Sequence, residues 1–161
     1  MKYIWHYTFP RVNLGIIEDN GFITDVFFLR EGGGSLLPTE ETVLIKRAAD
    51  QLNEYFAGER DCFDFPILPS GTAFQKRVWD AVSAIPYGET RTYKEIAIQT
   101  GNHLAARAVG MANNRNPIAI VIPCHRVIGH NGSLVGYGGG LEVKRYLLDL
   151  EKRLNTGLMN K

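Results

Sequence analysis

Two capping boxes constrain the fold more than any other feature, because each marks the first turn of a helix. They are Thr72-x-x-Gln75 and Thr92-x-x-Glu95. In such a box the two side chains exchange hydrogen bonds with the backbone of the first helical turn. The spacing predicts helices that begin near Ala73 and Tyr93.

A short glycine turn follows the second of these helices. That helix is predicted to run to about Thr100, and Gly101-Asn102 provides a tight turn. A third helix is expected from about His103 to Asn113. Two helices joined by a short glycine turn are typical of a helix-turn-helix.

Short runs of aromatic and β-branched residues indicate strands in the first third of the chain. The runs are Tyr3 to Phe9, Val12 to Ile17 and Phe22 to Leu29, and they predict an antiparallel meander. Thr39 is expected to cap a following helix, and Cys62 to Ile67 to add one more strand. The predicted buried face of that helix carries Ile45, Ala48, Ala49, Leu52, Tyr55 and Phe56.

The pattern changes from strands to closely spaced helices at Leu68-Pro-Ser-Gly71. We therefore expect an α/β chain of the α+β type with two domains, residues 1–70 and 71–161. The first combines a small antiparallel sheet with a helix, and the second is a helical, winged-helix-like domain.

Three further elements are expected in the second domain. Ile118 to Ile122 has the pattern of a buried strand, and Asn131-Gly132 that of a hairpin turn between Val127-Ile128 and Leu134-Val135. A last helix is predicted from about Leu141. Its apolar side carries Val143, Tyr146, Leu147, Leu150 and Leu154.

The two halves carry opposite net charges. Residues 1–70 contain 6 Lys/Arg and 11 Asp/Glu, whereas residues 71–161 contain 12 and 6, so the formal charges are −5 and +6. A basic half can face a polyanion such as a nucleic acid. An acidic half docked on a basic half explains the asymmetry equally well, so charge alone leaves both interpretations open.

Apolar runs and cysteines indicate the compartment. The longest apolar runs, such as Ile118 to Ile122, are far too short to cross a bilayer, and the N-terminus has no apolar signal region. Cys62 and Cys124 cannot supply a disulfide framework. We expect a cytoplasmic protein with no membrane partner.

Small residues cover the predicted third helix around a single long side chain, Arg107. They are Ala105, Ala106, Ala108 and Gly110. A slim helix of this kind suits the narrow minor groove of DNA, where one arginine can enter the base stack. Close packing of the helix against the rest of the protein is an equally good explanation.

Cys124 and His125 are adjacent, between a buried run and a turn. A histidine near a thiol can take its proton and stabilise the thiolate, which is the nucleophilic form. Adjacent side chains on an extended backbone point to opposite faces, so the pair needs a bridging water or a local turn. Glu151 is one candidate to orient the imidazole, while Cys62 has no such neighbours and is expected to be structural.

The second half resembles a known family, the DNA alkyltransferases that repair O6-alkylguanine (methylated-DNA–protein-cysteine methyltransferases). The resemblance covers essentially all of residues 71–151. The matching segments are Gly71-Thr-Ala-Phe-Gln75, Val78-Trp79, Ile85-Pro-Tyr-Gly88, Thr92-Tyr93, Ala106-Arg-Ala-Val-Gly110, Ala112-Asn113, Asn116-Pro117, Ile122-Pro-Cys-His-Arg-Val127, Gly136-Tyr137, Gly139-Gly140-Leu141, Lys144 and Leu147-Leu148 to Glu151.

The resemblance implies a role for each matching position. Cys124 would accept the alkyl group, His125 and Glu151 would form a water-bridged relay, Asn116 would fix the active-site turn, and Tyr93 would give its proton toward the guanine. Arg107 would fill the hole left by a flipped-out nucleotide in the minor groove. The remaining implied DNA contacts are Thr92, Ala106 and Arg126, and the implied substrate pocket is Tyr93, Val127, Tyr137 and Gly138.

The resemblance also implies one irreversible transfer per molecule, because water cannot regenerate a thiol from a thioether. The expected substrate is double-stranded DNA with O6-alkylguanine, with O4-alkylthymine as a further substrate. No cofactor is needed. The expected protein is a monomer, with cooperative binding along DNA left open, and a first domain like ribonuclease H.

Two departures from the family pattern affect these expectations. Gly138 stands where many relatives have serine, so the tolerance of bulky adducts is expected to differ. A zinc site of some relatives is expected to be absent, since Cys62 and His6 are too few ligands.

Two other functions remain open at this point. One is a non-catalytic winged-helix module that senses lesions with Arg107 and leaves the thiol unused. The other is a cysteine hydrolase in which Cys124 and His125 turn over acyl substrates.

Overall fold

An antiparallel sheet of three strands forms the start of the chain. The computed structural model describes residues 1–30 and 37–159, and the side chains of its last helix as far as Arg153. The strands are β1 (Lys2–Thr8), β2 (Asn13–Asp19) and β3 (Phe22–Phe28), in the order β1-β2-β3. Asn20 and Gly21 join β2 to β3 with positive φ angles of 50° and 87°, as a tight hairpin requires. The predicted meander is confirmed.

Helix α1 (Val43–Phe56) packs against this sheet. All six residues of its predicted apolar face are buried. Its N-cap is Thr42, whose hydroxyl oxygen accepts a hydrogen bond from the Ile45 N–H at 3.1 Å, so the predicted cap at Thr39 is wrong. Thr39 instead bridges Ile4, because the chain continues beside β1 in an extended form before the helix begins.

Two segments predicted as strands make only single bridges to the sheet. In the run 62–67, only Ile67 pairs, with Ile23 of β3. In the run 118–122, Ile118 bridges Val26, and a positive φ of 71° at Ile120 interrupts the extended backbone that a ladder requires. Both strand predictions are wrong, because burial of apolar residues does not require a ladder.

The chain divides into two compact units. The first contains Met1–Ser70 and Pro117–Val121, and the second contains Gly71–Asn116 and Ile122–Lys161. The run 118–122, which was expected in the second domain, therefore belongs largely to the same unit as the sheet.

No helix in the described part of the chain is long and apolar enough to span a bilayer.

Three helices open the second unit: α2 (Ala73–Ser83), α3 (Tyr93–Gln99) and α4 (Ala106–Asn114). Both predicted capping boxes form, and they start α2 and α3 where the sequence indicated. Helix α4 starts later than expected, because a turn centred on Asn102 extends to Ala105. The Trp79 indole N–H of α2 donates to the Ala112 carbonyl of α4 at 2.9 Å and fixes their packing.

A parallel strand pair and a long helix complete the second unit. Strand β4 (Arg91–Thr92) pairs in parallel with β5 (Val127–Ile128), and helix α5 runs over Leu141–Met159. Asn131 and Gly132 do form a turn with positive φ, but no antiparallel ladder flanks it, so the hairpin prediction is wrong. Leu147 and Leu150 of the predicted apolar side are buried, while the side chain of Leu154 lies outside the described residues. The fold class, α+β, is confirmed.

Candidate active site

A single 3-10 turn, Cys124–Arg126, carries the thiol and the imidazole. The turn follows Pro123, and it buries Cys124 and His125 together, although an extended backbone would have pointed them apart. Two asparagines hold the turn from the end of α4. Asn113 Nδ2 donates to the Cys124 carbonyl at 3.1 Å, and Asn116 Nδ2 donates to the Ile122 carbonyl at 2.7 Å.

A buried charge cluster lies behind the thiol. Glu151 of α5 is 1% exposed, and its Oε2 lies 2.6 Å from His125 Nε2. A carboxylate oxygen accepts a hydrogen bond, so Nε2 carries the proton and Nδ1 keeps its lone pair. Nδ1 is buried and has no hydrogen-bond partner among the described residues. The imidazole is therefore oriented as a base with Nδ1 available.

Arg126 completes this cluster instead of projecting to the surface. Its Nε and Nη2 donate to the two Glu151 oxygens at 2.8 and 3.1 Å, and its Nη1 donates to the Ile85 carbonyl at 2.8 Å. The side chain is buried, so the expected DNA contact at this position has no exposed guanidinium to make it. A bidentate arginine holds a carboxylate in its charged form and in one orientation.

Burial and charge set the protonation states of the cluster. Burial alone would raise the pKa of Glu151, but His125 and Arg126 outweigh it and lower that pKa to about 2. Burial lowers the pKa of His125, so the ring is neutral at pH 7. Burial raises the pKa of the Cys124 thiol, and a hydrogen bond from Asn116 and the charge of Lys144 partly oppose that rise.

An open cavity of about 490 Å³ lies beside α4. Tyr93, the first residue of α3, lines it, and its hydroxyl donates to the Val135 carbonyl at 3.0 Å. Gly136 adopts a φ of +52°, where a side chain would press on Asn114 at 3.2 Å. The full lining is Tyr93, Ala106, Arg107, Gly110, Met111, Asn114, Val135 and Gly136.

The other residues of the expected pocket, Val127, Tyr137 and Gly138, differ in their exposure. Burial raises the pKa of Tyr137 well above its ordinary value, and the negative charge that Cys124 carries as a thiolate raises it further. Val127 is fully buried directly after the turn. Gly138 is exposed, and a side chain added there would meet nothing within 4 Å.

The surface of α4 is narrow around Arg107. Arg107 is exposed, and Ala106 and Gly110 line the cavity on either side of it. Two exposed apolar side chains flank the arginine along the chain, Leu104 at 82% and Met111 at 61%. Thr92, another expected DNA contact, is half-buried, and its hydroxyl oxygen accepts the Glu95 N–H as the cap of α3.

A family model matches residues 73–153, the part of the chain that contains this whole arrangement. The model describes the DNA-binding domain of 6-O-methylguanine DNA methyltransferase. The chain belongs to this family. The enzyme class expected from the sequence resemblance, methylated-DNA–protein-cysteine methyltransferase, is confirmed.

Relatives of this methyltransferase family match well beyond the motif region. A methylated-DNA–protein-cysteine methyltransferase from Methanosarcina acetivorans is 60% identical over 112 residues, which cover 70% of this chain and 72% of the relative. The crystal structure of Mycobacterium tuberculosis O6-methylguanine methyltransferase superposes with a TM-score of 0.88 at 46% identity, covering 95% and 94% of the two chains. Mycobacterium tuberculosis OGT in complex with DNA also gives 0.88, at 47% identity and 94% coverage of each chain.

Sequence reasoning assigned no role to Lys144, although the methyltransferase motif contains it. Its side chain is fully buried, and Nζ donates to the carbonyls of Val127 and Val135 at 2.7 and 3.0 Å. Burial lowers the pKa of Lys144 to about 8. Through these two hydrogen bonds, Lys144 connects Val127, the residue after the Cys124–Arg126 turn, to Val135 in the lining of the cavity. One sequence feature could have indicated a role for Lys144: a lysine and a glutamate, Lys144 and Glu151, lie within the apolar stripe of α5. Charged side chains are rarely buried without partners, so their position in that stripe predicts specific contacts.

Proposed function

We propose that this protein repairs DNA by moving an alkyl group from O6 of guanine to the sulfur of Cys124, once per molecule. The observation that carries the proposal is a buried thiol in one short turn with a neutral, carboxylate-oriented histidine, in the same unit as an open cavity at an exposed arginine. Relatives named methylated-DNA–protein-cysteine methyltransferase, and a related structure that contains DNA, support the reaction and the partner.

The proposed reaction is an in-line displacement at the alkyl carbon. His125 Nδ1 takes the Cys124 proton through a water, and the thiolate forms the sulfur–carbon bond while the carbon–oxygen bond to the purine breaks. The Tyr93 hydroxyl gives its proton to the departing guanine and neutralises the developing charge. The product is a thioether that water does not cleave, so no thiol is regenerated.

The charge cluster supports the first of these proton transfers. Glu151 is held as a carboxylate and accepts the Nε2 proton of His125, so a proton taken at Nδ1 is stabilised by a buried negative charge. We assign Arg126 to this cluster as a positioning residue, since its guanidinium is bound to Glu151. Asn116 holds the turn and favours the thiolate through its hydrogen bond.

The proposed access to the base is through the minor groove. A thiolate cannot reach an alkyl group inside a stacked duplex, so the nucleotide has to leave the stack, at a cost of a few kcal/mol. Arg107 is exposed at the rim of the cavity, where it can replace the missing base, and the small residues around it let α4 approach the groove. Free space at Gly138 suits bulky adducts, and O4-alkylthymine offers the same alkoxy carbon.

Intact mass spectrometry tests the transfer directly. After incubation with a duplex that contains O6-methylguanine, each protein molecule is expected to gain one methyl group in place of a proton, about 14 Da, and then to stop. An unchanged mass together with tight binding would favour the lesion-sensing module instead. Repeated turnover of an acyl substrate would favour the cysteine hydrolase.

A second experiment tests the role of Arg107. Arg107→Ala is expected to slow repair of duplex DNA by about 10-fold to 100-fold, while reaction with free O6-benzylguanine stays within about twofold, because the free base needs no extrusion. Single-turnover rates on the two substrates give the comparison. Arg145→Ala, an exposed arginine of α5 away from the cavity, is the matched control. Equal losses on both substrates would contradict the proposed role.

A further inference from the structure

Lys144 is a buried cation that the proposed mechanism does not yet use. Its side chain, on α5, is fully buried. Burial lowers its pKa only to about 8, so it is an ammonium at pH 7. None of the ion pairs in the described part of the chain includes it. A buried charge costs free energy unless it is paired or hydrogen-bonded, so the contacts of this ammonium indicate why it is there.

The first contact is with the turn that carries the nucleophile. Lys144 Nζ donates to the Val127 carbonyl at 2.7 Å. Val127 caps that turn, and its N–H donates to the Cys124 carbonyl. Two hydrogen bonds in series therefore fix the ammonium relative to the backbone of Cys124.

The second contact is with the carbonyl that also binds Tyr93. The Val135 carbonyl, in the lining of the cavity, accepts from Lys144 Nζ and from the Tyr93 hydroxyl, each at 3.0 Å. A carbonyl oxygen has two lone pairs, so these two donors fill its capacity to accept. Nζ also lies 5.8 Å from the centre of the Tyr93 ring, so the ammonium and the phenol are neighbours.

The hydrogen bond between Tyr93 and Val135 has to break in the proposed reaction. A tyrosine hydroxyl has one proton, and here it is donated to Val135, so the hydroxyl must turn away from that carbonyl to reach the guanine. A base that fills the cavity also displaces water from it. The Val135 carbonyl would then lose its partner, at a cost in free energy, unless a second donor stays in place. Lys144 is such a donor.

We infer that Lys144 is a positioning residue for the transfer: as the second donor to the Val135 carbonyl, it allows the Tyr93 hydroxyl to turn toward the guanine. Its bond to Val127 holds the ammonium, and with it that carbonyl, in a fixed place relative to the nucleophile. The inference rests on the proposed function and deepens it. A methionine would fill the same space without burying a charge, so the N–H groups of the side chain, rather than packing, explain the lysine.

A double-mutant cycle on Lys144 and Tyr93 tests this role. Lys144→Met keeps the length of the side chain and removes every donor, and it is expected to lower the maximal single-turnover rate with free O6-benzylguanine by about 30-fold. In a Tyr93→Phe background the same change is expected to cost less than about threefold, because no hydroxyl is left to release. The smaller loss reflects the missing positive charge, which favours the Cys124 thiolate in both backgrounds. Equal losses in the two backgrounds would overturn the inference.

Two further measurements separate this role from a purely structural one. The concentration of free base that gives half of the maximal rate is expected to change by less than about threefold, because Lys144 acts on the reaction step and not on binding. A variant rate that returns to the wild-type value at high base concentration would contradict this. Lys152→Met, the same exchange at an exposed position of α5, is the matched control and is expected to react within about twofold of the wild-type rate.

A second variant keeps the cycle available if the methionine variant does not fold. Lys144→Gln retains an N–H donor without the charge, so its loss is expected to lie between zero and that of Lys144→Met and to shrink in the same way in the Tyr93→Phe background. Wild-type protein that takes up no benzyl group would overturn the proposed function and the inference together, whereas equal losses overturn the inference alone.

Discussion

Serine in place of Cys124 is expected to abolish transfer, with a rate at least about 10⁴-fold below that of the wild-type protein. A serine hydroxyl is a far weaker acid than a thiol, so a neutral imidazole removes its proton poorly. Attack at an alkyl carbon also forms no oxyanion that the protein could stabilise to compensate. The exchange changes one buried atom, so the turn, the cavity and the exposed surface of α4 are expected to persist. DNA affinity is therefore expected to stay within about twofold.

The matched control for this change is the other cysteine. Cys62 is exposed and belongs to the first unit, whereas the histidine and the carboxylate belong to the second, so Cys62→Ser is expected to react at the wild-type rate. Intact mass over time with the O6-methylguanine duplex measures both variants, and peptide mapping locates the methyl group. A methyl group on Cys62, or a serine variant that reacts within about 100-fold of the wild-type rate, would contradict the assignment of Cys124.

Local chemistry made much of the fold predictable. The starts of α2 and α3 follow from threonine and Gln or Glu side chains three residues apart, which satisfy the backbone of one turn without help from the rest of the protein. The turn at Asn131-Gly132 was predictable for the same reason, since both residues tolerate positive φ. The strand pairing around it was not, because β5 pairs with β4 across more than thirty residues of intervening chain.

The site was predictable where residues are neighbours in sequence, and much less so where they meet in space. Cys124 and His125 are adjacent, but their common burial depends on a 3-10 turn held by Asn113 and Asn116. Arg126 looks like a surface cation in the sequence, and only the approach of Glu151 from α5 explains its burial. Tertiary contacts between distant segments therefore decided the environment of each charged group.

Glutamine in place of Glu151 is expected to cost both stability and activity. The change leaves the buried guanidinium of Arg126 without a counter-charge, and breaking a buried ion pair from one side typically costs about 3–5 kcal/mol. It also removes the carboxylate that orients His125, so the transfer rate on free O6-benzylguanine is expected to fall by about 10²-fold or more. Urea unfolding at pH 7 and single-turnover rates measure the two effects.

The pH dependence of stability distinguishes this carboxylate from an ordinary surface one. The folded pKa of Glu151, about 2, lies below the usual value of 4.5, so its contribution is complete above pH 4.5 and is lost as the pH falls toward 2. The free energy of unfolding of the wild-type protein should therefore fall by up to about 3 kcal/mol more than that of Glu151→Gln over this window. Asp149→Asn, the same exchange at an exposed position of α5, should follow the wild-type curve within about 0.5 kcal/mol. Parallel acid curves for the wild type and Glu151→Gln would mean that the cluster does not hold this carboxylate charged, and the proposed relay would lose its base-orienting group.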